Sequence, residues 1–271
     1  VIRKYWNNDF NRFFYQYAWS HTEIGEPTNM FKYDKIHTRD FIWKYPVHEV
    51  LTPINPNLQI KALDVGSEIF LHHYQDISKS RSNYFDLLQL GVRENPDNVH
   101  ERMLLAREYL VNNNYQEALE NYLKALKSPN IDDINNRLVL LESLIRCADC
   151  YYNLKNYDEA LWYCQEFIKE DATYREPYFI MAVIYNEMKM YTLAEYTVLA
   201  GLKYSIRKYN WIERENTWIS DANDILSICY YHLNDLDKAI ENIEICLDKH
   251  PNDVRLLNNY SIFLKQKLNS K

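Results

Sequence analysis

The chain has 271 residues, 47% hydrophobic and 25% charged, which suits one large domain or two small ones and excludes wholesale disorder. Its formal net charge of −7 has the wrong sign for bulk nucleic-acid binding, which draws on excess Lys and Arg. Only 4 Gly are present, so a complete nucleotide-binding α/β domain, with its glycine-dependent phosphate loops, does not fit; the 24 Tyr suit helix-pair packing and a mostly helical fold.

Residues 1–75 follow no repeat. They hold Trp6, Trp19 and Trp43, with short strands expected within Ile36–Val47 (around Phe41-Ile42-Trp43) and within Val65–Tyr74 (Ile69-Phe70-Leu71 running into His72-His73-Tyr74). Pro46, Pro53 and Pro56 punctuate the link between them. The segment is thin for a core of its own and reads as the last part of a larger α/β domain. A helix from Asp76 through Val92 is expected to pack on the first repeat of a helical array, which begins after the turn Asn95-Pro96-Asp97-Asn98.

From that turn on a repeat takes over. Asn114-Tyr115-Gln116-Glu117-Ala118, Asn156-Tyr157-Asp158-Glu159-Ala160, Met190-Tyr191-Thr192-Leu193-Ala194 and Asp235-Leu236-Asp237-Lys238-Ala239 align. Twelve residues before each Ala stands a small residue (Ala106, Ala148, Ala182, Ser227), and nine before stands Tyr109, Tyr151, Tyr185 or Tyr230. Four after stands Tyr122, Cys164, Val198 or Ile243, and seven after stands Ala125, Phe167, Gly201 or Cys246. The Ala-to-Ala steps of 42, 34 and 45 are a 34-residue period with insertions of 8 and 11, the tetratricopeptide spacing. Small side chains let the two helices of each hairpin approach closely, and stacked hairpins share one continuous core. The repeats lie near 99–130, 141–172, 175–206 and 220–251, within an array spanning 76–271. A closing helix over 252–268 is expected to carry Val254, Leu257, Tyr260 and Leu264 on one stripe, and Lys208–Ile212 in the longer insertion to lengthen a helix.

The order Lys32-Tyr33-Asp34-Lys35-Ile36, Phe41 to Val47-His48-Glu49, His72-His73-Tyr74, Ser78-Lys79-Ser80-Arg81 and then the repeats resembles the C-terminal half of bacterial family 2 glycosyltransferases that carry tetratricopeptide repeats. That group includes the bacteriocin-modifying S-glycosyltransferases. The resemblance implies a mostly α chain: a tetratricopeptide-repeat α-solenoid preceded by a small α/β remnant, residues 1–75, of a GT-A catalytic domain. It also implies inverting transfer of a sugar from a nucleotide-sugar to a peptide, protein or glycan acceptor, with a divalent metal (Mg or Mn) on the diphosphate. No D-x-D metal motif precedes Val47. The nucleotide-binding half is therefore expected before Val1, this chain being a C-terminal fragment, and donor and metal are expected only in the full-length parent.

Under the resemblance Glu49 is the candidate base toward the acceptor, and His48 the residue that touches diphosphate or positions that carboxylate. The plainer reading makes them a polar pair at a strand end. His72 or His73, which alternate across a strand, would complete the metal's coordination, or else serve as a structural imidazole bonded to backbone. Cys147-x-x-Cys150 invites a zinc reading, but both Cys fall on an expected helix without a second pair. All five Cys (147, 150, 164, 229, 246) lie on repeat helices and read as buried free thiols in a reducing cytoplasm. The Trp211–Trp218 segment reads as core or as a partner-binding edge. No window reaches the ~18 apolar residues of a membrane span. The rival to the enzyme is a non-enzymatic tetratricopeptide adaptor, its array binding a partner or self-associating.

Overall fold

A computed structural model describes residues 2–5, 9–21, 25, 27–46, 50–74, 76, 83–208, 210–214 and 216–269. Backbone contacts divide the chain into two units, Val1–Glu94 and Asn95–Lys271.

The first unit opens with the short helix α1 (Ile2–Tyr5) and the strands β1 (Arg12–His21) and β2 (Pro27–His37). These pair antiparallel, with Phe13 opposite Ile36 and Tyr15 opposite Tyr33. Phe13, Tyr15 and Tyr17 alternate inward along β1 and, with Val65, form a small aromatic core. β3 (Phe41–Lys44) and β4 (Val50–Pro53) make a separate antiparallel hairpin that buries Phe41 and Leu51. β5 (Ala62–Asp64) and β6 (Phe70–His72) then pair in succession, both parallel, with β1. Helix α2 (Tyr84–Glu94) ends the unit. The two longest strands lie where the sequence signals no element. In Phe13-Phe14-Tyr15 the outward position is as aromatic as the inward ones, so the period of two is hidden.

The second unit is built of helix pairs: α3 (Val99–Val111) with α4 (Tyr115–Leu126), α5 (Arg137–Asn153) with α6 (Tyr157–Glu170), and α7 (Glu176–Glu187) with α8 (Tyr191–Leu202). After α9 (Asn216–Ile219) come α10 (Asp221–His232), paired with α11 (Leu236–Lys249), and the closing helix α12 (Val254–Asn269). All eight small positions at the hairpin contacts (Ala106, Ala118, Ala148, Ala160, Ala182, Ala194, Ser227 and Ala239) are 0% exposed. That is what ridges settling into grooves at close range require.

Each hairpin turns in the same way. The carbonyls of Tyr109, Tyr151, Tyr185 and Tyr230 accept bonds from the amides of Asn114, Asn156, Met190 and Asp235, five residues on. The residue just before each of those amides, Asn113, Lys155, Lys189 or Asn234, is left-handed with φ of 60–63°. This is the helix-ending motif in which glycine is usual. The chain builds it four times without one.

Two expectations change. The closing helix buries Leu256 and Phe263, the latter stacked 4.6 Å from Tyr231, whereas Val254, Leu257 and Leu264 are exposed. Positions 256, 260 and 263 form the row that α11 meets; the predicted stripe is displaced from it around the helix. The longer insertion does not lengthen a helix: α8 ends at Leu202, and among the described residues only the single turn α9 forms before α10.

At Gly201 on α8 an added Cβ would come 2.9 Å from Tyr178 Cβ and 3.0 Å from the Phe179 ring. Tyr178 Cβ is fixed to the backbone and cannot swing away. Gly201→Ala is therefore expected to cost about 1–3 kcal/mol of stability through overpacking, read by urea denaturation; an unchanged midpoint would contradict this helix contact.

Candidate functional site

The first helices of successive pairs carry charged residues at fixed places in the repeat. Six residues before the small marks Ala148, Ala182 and Ser227 stand Glu142, Glu176 and Asp221; one residue after Ala106, Ala148 and Ala182 stand Arg107, Asp149 and Val183. Neighbouring first helices bring the "one after" residue of one pair toward the "six before" residue of the next.

At the first step this makes an ion pair. Glu142 is wholly buried, and Arg107 grips it with Nε–Oε1 at 2.9 Å and Nη2–Oε2 at 2.6 Å. Arg146 adds its charge at 3.7 Å. At the second step both positions are acidic, Asp149 and Glu176. Arg146 on α5 pairs with Asp149 at 3.1 Å; from the insertion the Arg214 guanidinium pairs with Asp149 as well, and the Arg214 backbone amide donates to Glu176 Oε1 at 3.0 Å. At the third step Val183 is uncharged, and Asp221 has no ion-pair partner among the described residues.

The described residues of the insertion are held at several points. Lys208 Nζ sits 3.9 Å over the Tyr174 ring and 2.5 Å from Asp171. Asn210 Nδ2 donates to Tyr174 Oη at 2.7 Å, and Ile212 is fully buried against the α5–α7 core. The Arg175 guanidinium lies 3.9 Å from the centre of the Trp218 ring. Trp218 is thus half-buried under a cation, while Trp211 is exposed.

These elements enclose a groove of about 320 Å³, floored by Phe179, Ile180, Val183 and Ile225 and rimmed by Asp149, Glu176, Asp221, Asp224 and Arg214. Two of the acids are satisfied by guanidinium groups. Arg146 and Arg214 hold Asp149, and Arg255 grips Asp224 at 2.6 and 3.0 Å. The other two are not. Glu176 is 2% exposed, and its Oε2 has no hydrogen-bond partner among the described residues. Burial pushes its carboxyl pKa above the usual value, against the opposing pull of the Arg214 amide. Burial likewise raises Asp221, with Asp224 adding to the rise and Arg214 opposing it.

The sequence-predicted site residues lie elsewhere. His48 and Glu49, with Val47, fall outside the described residues. His72 ends β6, and its Nδ1 is 2.9 Å from His21 Nε2; the His73 ring stacks on Tyr17 at 6.0 Å. The two neighbouring imidazoles thus meet different partners. Among the described residues no group of three or more His, Cys, Asp or Glu is placed to hold a metal. Cys147 and Cys150 are free and buried on α5, where desolvation drives both thiols upward, Cys150 to about 12; such thiols pack and do not ligate. Sequence reading missed Asp149, Glu176, Asp221 and Arg214. The register of acids six before the small marks was available as a signal, but Arg214 sits outside the period and only folding brings it back.

Comparison with known proteins agrees with the repeat geometry. Residues 221–253 match the tetratricopeptide repeat family. The chain is similar to the crystal structure of MamA (TM-score 0.50, 15% identity, 68% of this chain and 99% of that one). It is also similar to a tetratricopeptide repeat protein from Parabacteroides merdae (TM-score 0.51, 17% identity, 67% and 65%). A third likeness is to the APC/C hetero-tetramer Cut9-Hcn1 (TM-score 0.56, 15% identity, 69% and 33%). No curated protein matches. The chain is mostly helical, with a tetratricopeptide-like solenoid; none of these findings carries a glycosyltransferase relationship. Among the described residues no helix is long and apolar enough to cross a membrane.

Because burial raises the Glu176 pKa, the folded chain keeps that proton to higher pH than the unfolded chain does. The stability this confers is present below the ordinary carboxylate range and is lost as pH rises through the folded value. Glu176→Gln is therefore expected to raise Tm at pH 7 and to show no gain near about pH 4 in thermal melts. A variant less stable at both pH values would contradict the account of this acid.

Proposed function

We propose that the chain is a protein-interaction module whose helical array receives a short peptide segment of a partner in the groove between α5, α7 and α10. The observation that carries this reading is the groove itself. The first helices of three successive pairs present half-exposed side chains on one face, over an apolar floor with an acidic rim. Stacked repeats of this kind offer such faces to partners, and nothing in the packing of the array needs this one left open. At about 320 Å³ the groove is at the small end of ligand sites. It takes one or two side chains of an extended segment and not a folded surface.

The sugar-transfer reading rests on a sequence resemblance that runs from Lys32 into the repeats, and its key pair, His48 and Glu49, is outside the described residues. The acceptor-binding role that it gives the array is contained in the interaction reading. Five free buried Cys suit a reducing compartment, and a cytoplasmic setting belongs to this proposal.

A random dodecapeptide library selected against the full chain tests this reading. Val183 is half-exposed on the groove floor, so Val183→Trp should fill the groove from its open side. Selected peptides are expected to lose affinity for that variant by about tenfold or more in fluorescence anisotropy, its melting curve being unchanged. Peptides that bind it as well as the parent, or a selection with no binders, would contradict the reading.

A further inference from the structure

The three steps along the first helices differ in one respect, namely where the cation comes from. Arg107 supplies it to Glu142 from the preceding helix. Arg146 on α5 and Arg214 from the insertion supply it to Asp149, and the Arg214 amide adds a bond to Glu176. At the third step the place equivalent to Arg107 is Val183; Asp221 is left without an ion pair among the described residues, and Glu176 Oε2, on the same groove, has no hydrogen-bond partner among them. Glu176 and Asp221 occupy the same register on the contacting helices α7 and α10, and both line the groove.

We propose that the partner's segment carries an arginine whose guanidinium enters this third step, meeting Asp221 and Glu176 as Arg107 meets Glu142. This deepens the interaction reading and rests on it. Three observations select an arginine. Every satisfied acid along this face is held by a guanidinium: Glu142 by Arg107, Asp149 by Arg146 and Arg214, Asp224 by Arg255. The floor of Phe179, Val183 and Ile225 offers an apolar bed for a long aliphatic stem. The planar fork serves two carboxylates at once and is less costly to strip of water than an ammonium. The charge complementarity is that of the repeat itself, with the partner completing a ladder that the chain leaves one rung short.

The test uses the selected peptides and three changes. Arginine is expected to be enriched in the selected set. Replacing that arginine by citrulline, which keeps the shape and removes the charge, should weaken binding by about tenfold or more, and Asp221→Asn should do the same to the parent peptide. The two changes together should be no worse than either alone. Val183→Arg places a guanidinium in the Arg107-equivalent position, so this variant should bind the arginine peptide at least about tenfold more weakly and melt higher than the parent chain. Peptides that are lost on Val183→Trp but show neither arginine enrichment nor sensitivity to citrulline would overturn this inference and leave the groove reading standing. Peptides indifferent to Val183→Trp, or none selected, would overturn both.

Discussion

The Arg214 guanidinium reaches back onto Asp149 while its backbone amide holds Glu176, and the open face of the array depends on that contact. Without it Asp149 would keep only Arg146, at 3.1 Å, and Glu176 Oε1 would lose the bond from the insertion, in a partly desolvated space between α5 and α7. With it, the segment between α8 and α10 is anchored across both helices, and Ile212 can seal the core below. The segment then forms one wall of the groove. An insertion that would otherwise be a loose connection becomes structural.

The array below this contact was legible in the chain because its constraints are local. Eight small residues at fixed spacing must be small if paired helices are to touch, and all eight are excluded from water. Cys164, Val198, Ile243, Phe167 and Cys246 follow the same register into the core. What the spacing could not give is anything set by residues outside the period. Arg214 is 65 residues from Asp149 in sequence, and no repeat alignment brings the two together. The closing helix shows the same limit: its apolar residues offer two rows, and only contact with α11 decides that Leu256 and Phe263 are the buried one.

In the first unit the sequence was less informative for a different reason. β1 carries Phe13, Phe14 and Tyr15 in succession, so inward Phe13 and Tyr15 look no different from the Phe14 between them, and β2 mixes polar and apolar residues without a clear period of two. Placement of the histidines was likewise decided by pairing: β6 runs parallel beside β1, which brings His72 to His21 and His73 to Tyr17. The resemblance to repeat-bearing glycosyltransferases points to Val47-His48-Glu49, whereas Glu176 and Asp221, the groove acids that no described guanidinium pairs with, are in the helical array. Acidic groups kept in an environment that raises their pKa cost stability in the free chain, and a bound cation would offset that cost.

The most direct measurement is a double-mutant cycle between Asp149→Asn and Arg214→Gln, read by urea denaturation of the full chain at neutral pH. If the insertion is anchored by this ion pair, the two changes are coupled by about 1–3 kcal/mol. Additive effects, with coupling indistinguishable from zero, would mean that Arg214 does not hold the segment against α5 and that the groove wall has another cause.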